Sequence, residues 1–195
     1  MANHVYNRIT LENGNDAVLL EWQRLFMDYG EHVERDSYHG DGTIKIWEFA
    51  EIQKHPFLSG YDEDNWYNWG CENIGAKWAH IDDATEYDAS ITSAWSPVMP
   101  YVEELYKHLT KFDSTVVIRH TYEDEFRNFI GVSITDSDGN SFDEIDSDEL
   151  QQILKEQYPT VEDDDFDWEY HEETDTCPNE WYDDFCYNWL EHGGV

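Results

Sequence analysis

The chain has 195 residues, and 45 Asp and Glu stand against 11 Lys and Arg, a formal net charge of −34. A body this acidic is repelled by DNA, RNA and anionic lipid, which excludes direct binding to nucleic acid or to a membrane surface. Nine Trp, thirteen Tyr and nine Phe exclude a wholly disordered chain, because burying that much apolar surface offsets the entropy of ordering the backbone.

Val5, Asn7 and Ile9 alternate with Tyr6, Arg8 and Thr10 ahead of Asn13-Gly14-Asn15, a pattern that predicts a first strand ending in a turn. Asp16 as N-cap, Val18, Trp22, Leu25, Phe26 and Tyr29 at helical spacing, and Gly30 as the stop predict a helix. Residues 31–42 read as a polar loop, and 43–54 fit either a strand or a short helix. The aromatic stretch 61–78 reads as a packed loop leading into a strand. Segments 76–81 and 87–95 read as strands joined by Asp82-Asp83-Ala84, after which Ser96-Pro97 opens a helix bearing Val98, Val102, Leu105 and Leu109. Segments 115–122 and 129–135 are further strands, the second ending at the turn Asp136-Ser137-Asp138-Gly139-Asn140. Asp146 with Glu149 forms a capping box for a helix through Leu150, Ile153, Leu154 and Tyr158, stopped by Pro159. A last helix starts near Pro178 and sets Trp181, Phe185 and Trp189 four residues apart before Gly193-Gly194.

The order β-α-β-β-α-β with an extra strand predicts an α+β protein with a ferredoxin-like domain over residues 1–142. An acidic, aromatic-rich helical extension over residues 143–195 is expected to follow it.

Three segments carry a likeness: Met1-Ala2-Asn3-His4-Val5-Tyr6-Asn7-Arg8-Ile9-Thr10, then the W-x-x-W-x-x-x-N-x-G-x-K-W run from Trp66 to Trp78, then Thr92-Ser93-Ala94-Trp95-Ser96-Pro97-Val98. Together they resemble the YubB ferredoxin-like family of plasmid and phage proteins, over roughly residues 1–140. The resemblance implies the fold and a mobile-element origin. It implies no catalytic residue, since that family has none established.

The motifs of known chemistry are absent. The sequence holds no phosphate-binding glycine loop, nucleophile elbow or zincin helix. Asp136-x-Asp138-x-Asn140 resembles the start of a calcium loop, but Ser141 stands where that loop needs Gly and Ser147 where it needs a bidentate carboxylate, so a hairpin turn is expected instead. His171, Cys177, Cys186 and His192 lack the paired spacing of a zinc site, and Cys71, Cys177 and Cys186 are expected as buried thiols rather than bridges. Adjacent carboxylates such as Glu172 and Glu173 read as a solvated face, and Trp66, Trp69 and Trp78 as core packing. No catalytic residue, metal or cofactor is expected. No run approaches the ~20 apolar residues of a membrane span, and Met1-Ala2-Asn3-His4 has neither region of a signal peptide, so a cytoplasmic protein is expected.

Charge is unevenly placed: −5 over residues 1–42, −7 over 43–112, −4 over 113–142 and −18 over 143–195. From Glu162 to Glu191 thirteen carboxylates occur with no Lys or Arg, interleaved with Phe166, Trp168, Tyr170, Trp181, Tyr182, Phe185, Tyr187 and Trp189. So many aromatics imply an ordered module with an apolar side to bury. A duplex carrying 34 charges is about 17 base pairs or roughly 58 Å long, whereas a compact chain of this length is about 42 Å across, so the protein matches or exceeds the linear charge density of DNA. The expectation is a phage or mobile-element DNA mimic that occupies the DNA site of a basic host protein of restriction, CRISPR, repair or transcription. Glu162, Asp163, Asp164, Asp165, Asp167, Trp168, Glu169, Glu172, Glu173, Asp175, Asp183 and Asp184 are its expected partner-binding residues. The rivals are a halophile-type acidic protein with a structural or small-ligand role, and a metal-dependent hydrolase built from clustered carboxylates.

Overall fold

A computed structural model describes residues 3–28, 30–36, 43–49, 51–126, 128–157 and 178–192. Strand β1 (His4–Asn13) leads into α1 (Asp16–Gln23), which continues as a π-helical turn over Arg24–Asp28. β2 (Glu31–Asp36) and β3 (Thr43–Glu48) form a separate antiparallel ribbon. After α2 (Trp66–Asn73) come β4 (Ala79–Ala84), β5 (Asp88–Ala94), α3 (Met99–Leu109), β6 (Val117–Asp124), β7 (Phe129–Asp136), β8 (Gly139–Asp146), α4 (Ser147–Gln157) and α5 (Pro178–His192).

The main sheet has six strands in the order β4-β5-β1-β6-β7-β8, and every neighbouring pair is antiparallel. β5 and β6 therefore run parallel to each other on either side of β1, joined by a crossover that carries α3. The crossover from β1 to β4 carries α1 and α2 and skips the position of β5. Both land on one face, where Val18, Trp22, Leu25, Phe26, Trp69, Tyr101, Val102, Leu105 and Leu109 pack on Ile9, Leu11, Ile91 and Ile118 in one buried cluster.

This arrangement corrects the expected ferredoxin-like β-α-β-β-α-β core with one extra strand. Among the described residues the open sheet holds six strands, the ribbon β2–β3 stands apart from it, and five α-helices are spread along the chain. The reasons are local. β8 has seven of its eight residues exposed, so no apolar alternation announces it. β2 was expected as loop because Glu31, Glu34, Arg35 and Asp36 leave it no apolar face. Residues 66–73 form a helix rather than a packed loop, and Asp82-Asp83-Ala84 belongs to β4, where a register shift between Ile81 and Asp83 absorbs the polar residues. The cap of α1 is Asn15, whose side chain accepts from the backbone N–H of Ala17 at 2.9 Å and Val18 at 3.1 Å, one residue before the expected Asp16.

The three segments that carry the family likeness meet at the base of α3. Buried Asn7 on β1 donates through Nδ2 to Ser93 Oγ at 2.9 Å and accepts at Oδ1 from Val98 N at 3.1 Å. Ser93 Oγ donates to the Ser96 carbonyl at 2.7 Å, and Ser96 Oγ to the Gly75 carbonyl at 2.5 Å. Gly75 has φ +94°, and a Cβ there would stand 2.5 Å from Pro100 Cδ. Those residues therefore position the helix against the sheet.

Candidate partner-binding surface

The opposite face of the sheet bears a second, smaller cluster. Ile130 on β7, Ile145 on β8, Leu150 on α4 and Cys186 on α5 are buried together, with Ile153, Phe185, Trp189 and Leu190 packed against them. Ile145 is the one inward residue of β8, and it pairs directly with Ile130. The described parts of the acidic extension are thus regular elements fixed to the sheet.

Each element is also held at its ends. Asp146 Oδ1 accepts from the backbone N–H groups of Asp148 and Glu149 at 3.0 Å, capping α4. At the far end of α5, Arg119 Nη2 donates to the Leu190 carbonyl at 2.6 Å, and Arg8 pairs with Glu191 at 3.2 Å. Cations there satisfy free carbonyls and complement the helix dipole. Tyr122 lies across Gly131, where a Cβ would meet its ring at 2.2 Å, and its hydroxyl donates to Glu144 at 2.8 Å, linking β6 to β8 over β7. Burial and the Glu144 carboxylate push the Tyr122 phenol well up, so it stays a neutral donor.

Many outward side chains of this region are acidic. Asp143, Glu144 and Asp146 on β8, Asp148, Glu149 and Glu156 on α4, and Asp183, Asp184 and Glu191 on α5 are all exposed. Between α5 and strands β1, β5 and β6 runs a groove of about 480 Å³, lined among others by Tyr6, Arg8, Asp82, Glu123, Asp183, Tyr187 and Glu191. Elsewhere Arg24 pairs with Glu21, Lys54 with Glu51 at 2.9 Å and Lys107 with Glu104 at 2.7 Å, so these cations are neutralised within the molecule.

Of the residues expected to bind a partner, Asp183 and Asp184 lie exposed on α5. Glu162, Asp163, Asp164, Asp165, Asp167, Trp168, Glu169, Glu172, Glu173 and Asp175 lie outside the described residues, as do Cys177 and His171. The acidic run on β8 and the groove residues Asp82 and Glu123 were not foreseen. Strand pairing brings Asp82 and Glu123 near Glu191, and no local pattern marks it, although the spacing Asp143, Glu144, Asp146 was visible.

The buried titratable groups are structural. His120, wholly buried, has its pKa pushed down to about 3 by desolvation and donates from Nε2 to Asn7 Oδ1 at 3.0 Å as a neutral ring. Desolvation takes His55 down to about 4, and its Nδ1 lies 2.8 Å from the hydroxyl of fully buried Tyr101. Glu21 is held below the usual carboxylate range by the Arg24 guanidinium and then by His108, whose Nε2 donates to it at 2.6 Å. Phe57 packs against His55, Tyr101 and His108.

Among the described residues no group of three or more His, Cys, Asp or Glu could hold a metal ion. Residues 136–139 form the tight connection of the β7–β8 hairpin. Cys186 is buried, but Cys71 is exposed, which corrects the expectation of a buried thiol there. Trp69 is in the core, whereas Trp66 is 44% exposed, so the aromatic run is only partly core. Among the described residues no helix is long and apolar enough to cross a membrane. No protein-family model matches the chain, and no curated protein or solved structure matches it.

Proposed function

We propose that the protein is a DNA-mimicking inhibitor from a phage or other mobile element, acting in the host cytoplasm on the DNA-binding surface of a basic host protein. The observation that carries this reading is the anchoring of the acidic elements: β8, α4 and α5 turn carboxylates to solvent while Ile145, Leu150 and Cys186 fix them to the sheet. Anions held on regular elements present a fixed pattern to a cationic groove, and the net −34 charge steers the encounter. Binding relieves the mutual repulsion of these carboxylates and releases counterions from both partners. The likeness to the YubB family, which rests on the three segments around Asn7, Gly75 and Ser96, supplies the mobile-element origin.

The test is competition. In low salt the protein displaces a labelled duplex from a susceptible restriction, CRISPR, repair or transcription protein, and displacement weakens steeply above ~0.1 M salt as the Debye length falls below ~10 Å. Failure to displace duplex from any of these classes at large molar excess overturns the reading.

A further inference from the structure

The two edges of the main sheet are built in opposite ways. β4 is six residues long, and its register against β5 shifts between Ile81 and Asp83. A shift of that kind twists an edge away from further pairing. β8 is eight residues long and keeps unbroken register with β7 from Asp136↔Gly139 to Phe129↔Asp146. It contains no Pro, Lys or Arg. Among the described residues no strand pairs with its outer side. Such an edge turns the N–H and C=O groups of alternate residues to solvent, a ready ladder for another chain. Ile145 in the small core and Glu144 on the Tyr122 hydroxyl hold this ladder in place.

Charge selects the occupant. A second copy would bring to this edge another body of net charge −34 and another strand whose only charges are the carboxylates of Asp143, Glu144 and Asp146, and that repulsion opposes self-pairing. An extended segment bearing Lys or Arg meets the same residues with opposite sign, and Phe142, 64% exposed, offers an apolar contact beside them. We infer that β8 is a docking edge that takes an extended, basic segment of a protein partner as a seventh strand. The inference rests on the proposed basic partner and adds to it a backbone mode of recognition that phosphate mimicry does not require.

The probe is a peptide of alternating lysine and threonine matched in length to β8, with a second version methylated on alternate backbone nitrogens. Both carry the same charge, but the second has lost donors. Amide hydrogen exchange of the full chain is expected to show the outward-facing, alternate β8 amides unprotected in the free protein and protected by the first peptide, with the methylated peptide bound about tenfold more weakly or worse, since several hydrogen bonds are lost. The exposed double variant Ser141→Lys, Asp143→Lys is expected to abolish that protection while its thermal melt stays that of the parent. Equal binding of the two peptides, protection elsewhere than β8, or outward-facing β8 amides already protected in the free protein at any concentration would each overturn the inference. Its failure is separable from that of the inhibitor reading: DNA displacement without β8 protection removes only the docking edge, and β8 protection without DNA displacement removes only the mimic.

Discussion

The two faces of the main sheet differ in depth of cover. On the face under α1, α2 and α3, nineteen residues are buried in one cluster, with Trp22, Phe26, Tyr101 and Leu105 wholly inaccessible. On the other face the described residues form a cluster of four buried side chains, and two helices rest on it at the acidic end of the chain. The first face contains the stability of the domain and its buried polar groups. The second carries charge that repels itself, over a described cluster to which α4 and α5 contribute Leu150 and Cys186. The difference teaches that the elements bearing the acidic side chains are tied to the sheet through the face that the deep cluster leaves free.

Acid breaks the comparison at the deep face first. His55 and His120 have folded pKa values near 4 and 3 against about 6.5 in the unfolded chain. The unfolded state binds more protons between those values, so their contribution is complete above pH 6.5 and is lost as pH falls toward 4 and 3. They are worth on the order of 3 kcal/mol for His55 and about 5 kcal/mol for His120, and urea unfolding at pH 7, 5.5 and 4 is expected to show the fall.

Leu105→Ala removes a wholly buried side chain of the deep cluster and is expected to cost about 3–5 kcal/mol, with the transition remaining a single cooperative step in thermal melts. Leu150→Ala sharpens the contrast. It is expected to cost about 2–3 kcal/mol locally, releasing amide protection in α4 and α5 while β1, β5 and β6 keep theirs. Asn7→Ala leaves Val98 N–H and His120 Nε2–H without their buried acceptor, a loss of about 1–3 kcal/mol readable in the same melts. Glu191→Gln, which breaks an exposed pair with Arg8, is expected to change stability by no more than ~1 kcal/mol; a larger change would make the Arg8 pair a main anchor of α5 beside its apolar contacts and the Arg119 hydrogen bond.

Legibility followed the same division. β1 was readable because Val5, Asn7, Ile9 and Leu11 alternate over a buried face, and α3 because Val102, Leu105 and Leu109 recur at helical spacing. The starts of α4 and α5 were readable from Asp146 with Glu149 and from Pro178. β2 and β8 were not, since neither shows an apolar alternation and both owe their strand form to a partner strand. Of the candidate surface, Asp183 and Asp184 were named from composition, and the structure places them exposed on α5. The edge character of β8 was not, because being an edge is a property of strand order.

By itself the sequence determined the sign and size of the charge, its concentration toward the carboxyl terminus, and those elements whose apolar period is local. Only the tertiary structure decided the sheet order, which strand was left at each edge, and which carboxylates share a surface. The physical reason is that pairing is a contest among segments far apart in the chain. Val5 meets Ser93 on one side and Asp124 on the other, and Arg8 meets Glu191 across 183 positions of sequence. The free energy of such contacts depends on every other segment competing for the same strand, and no window of neighbouring residues contains it.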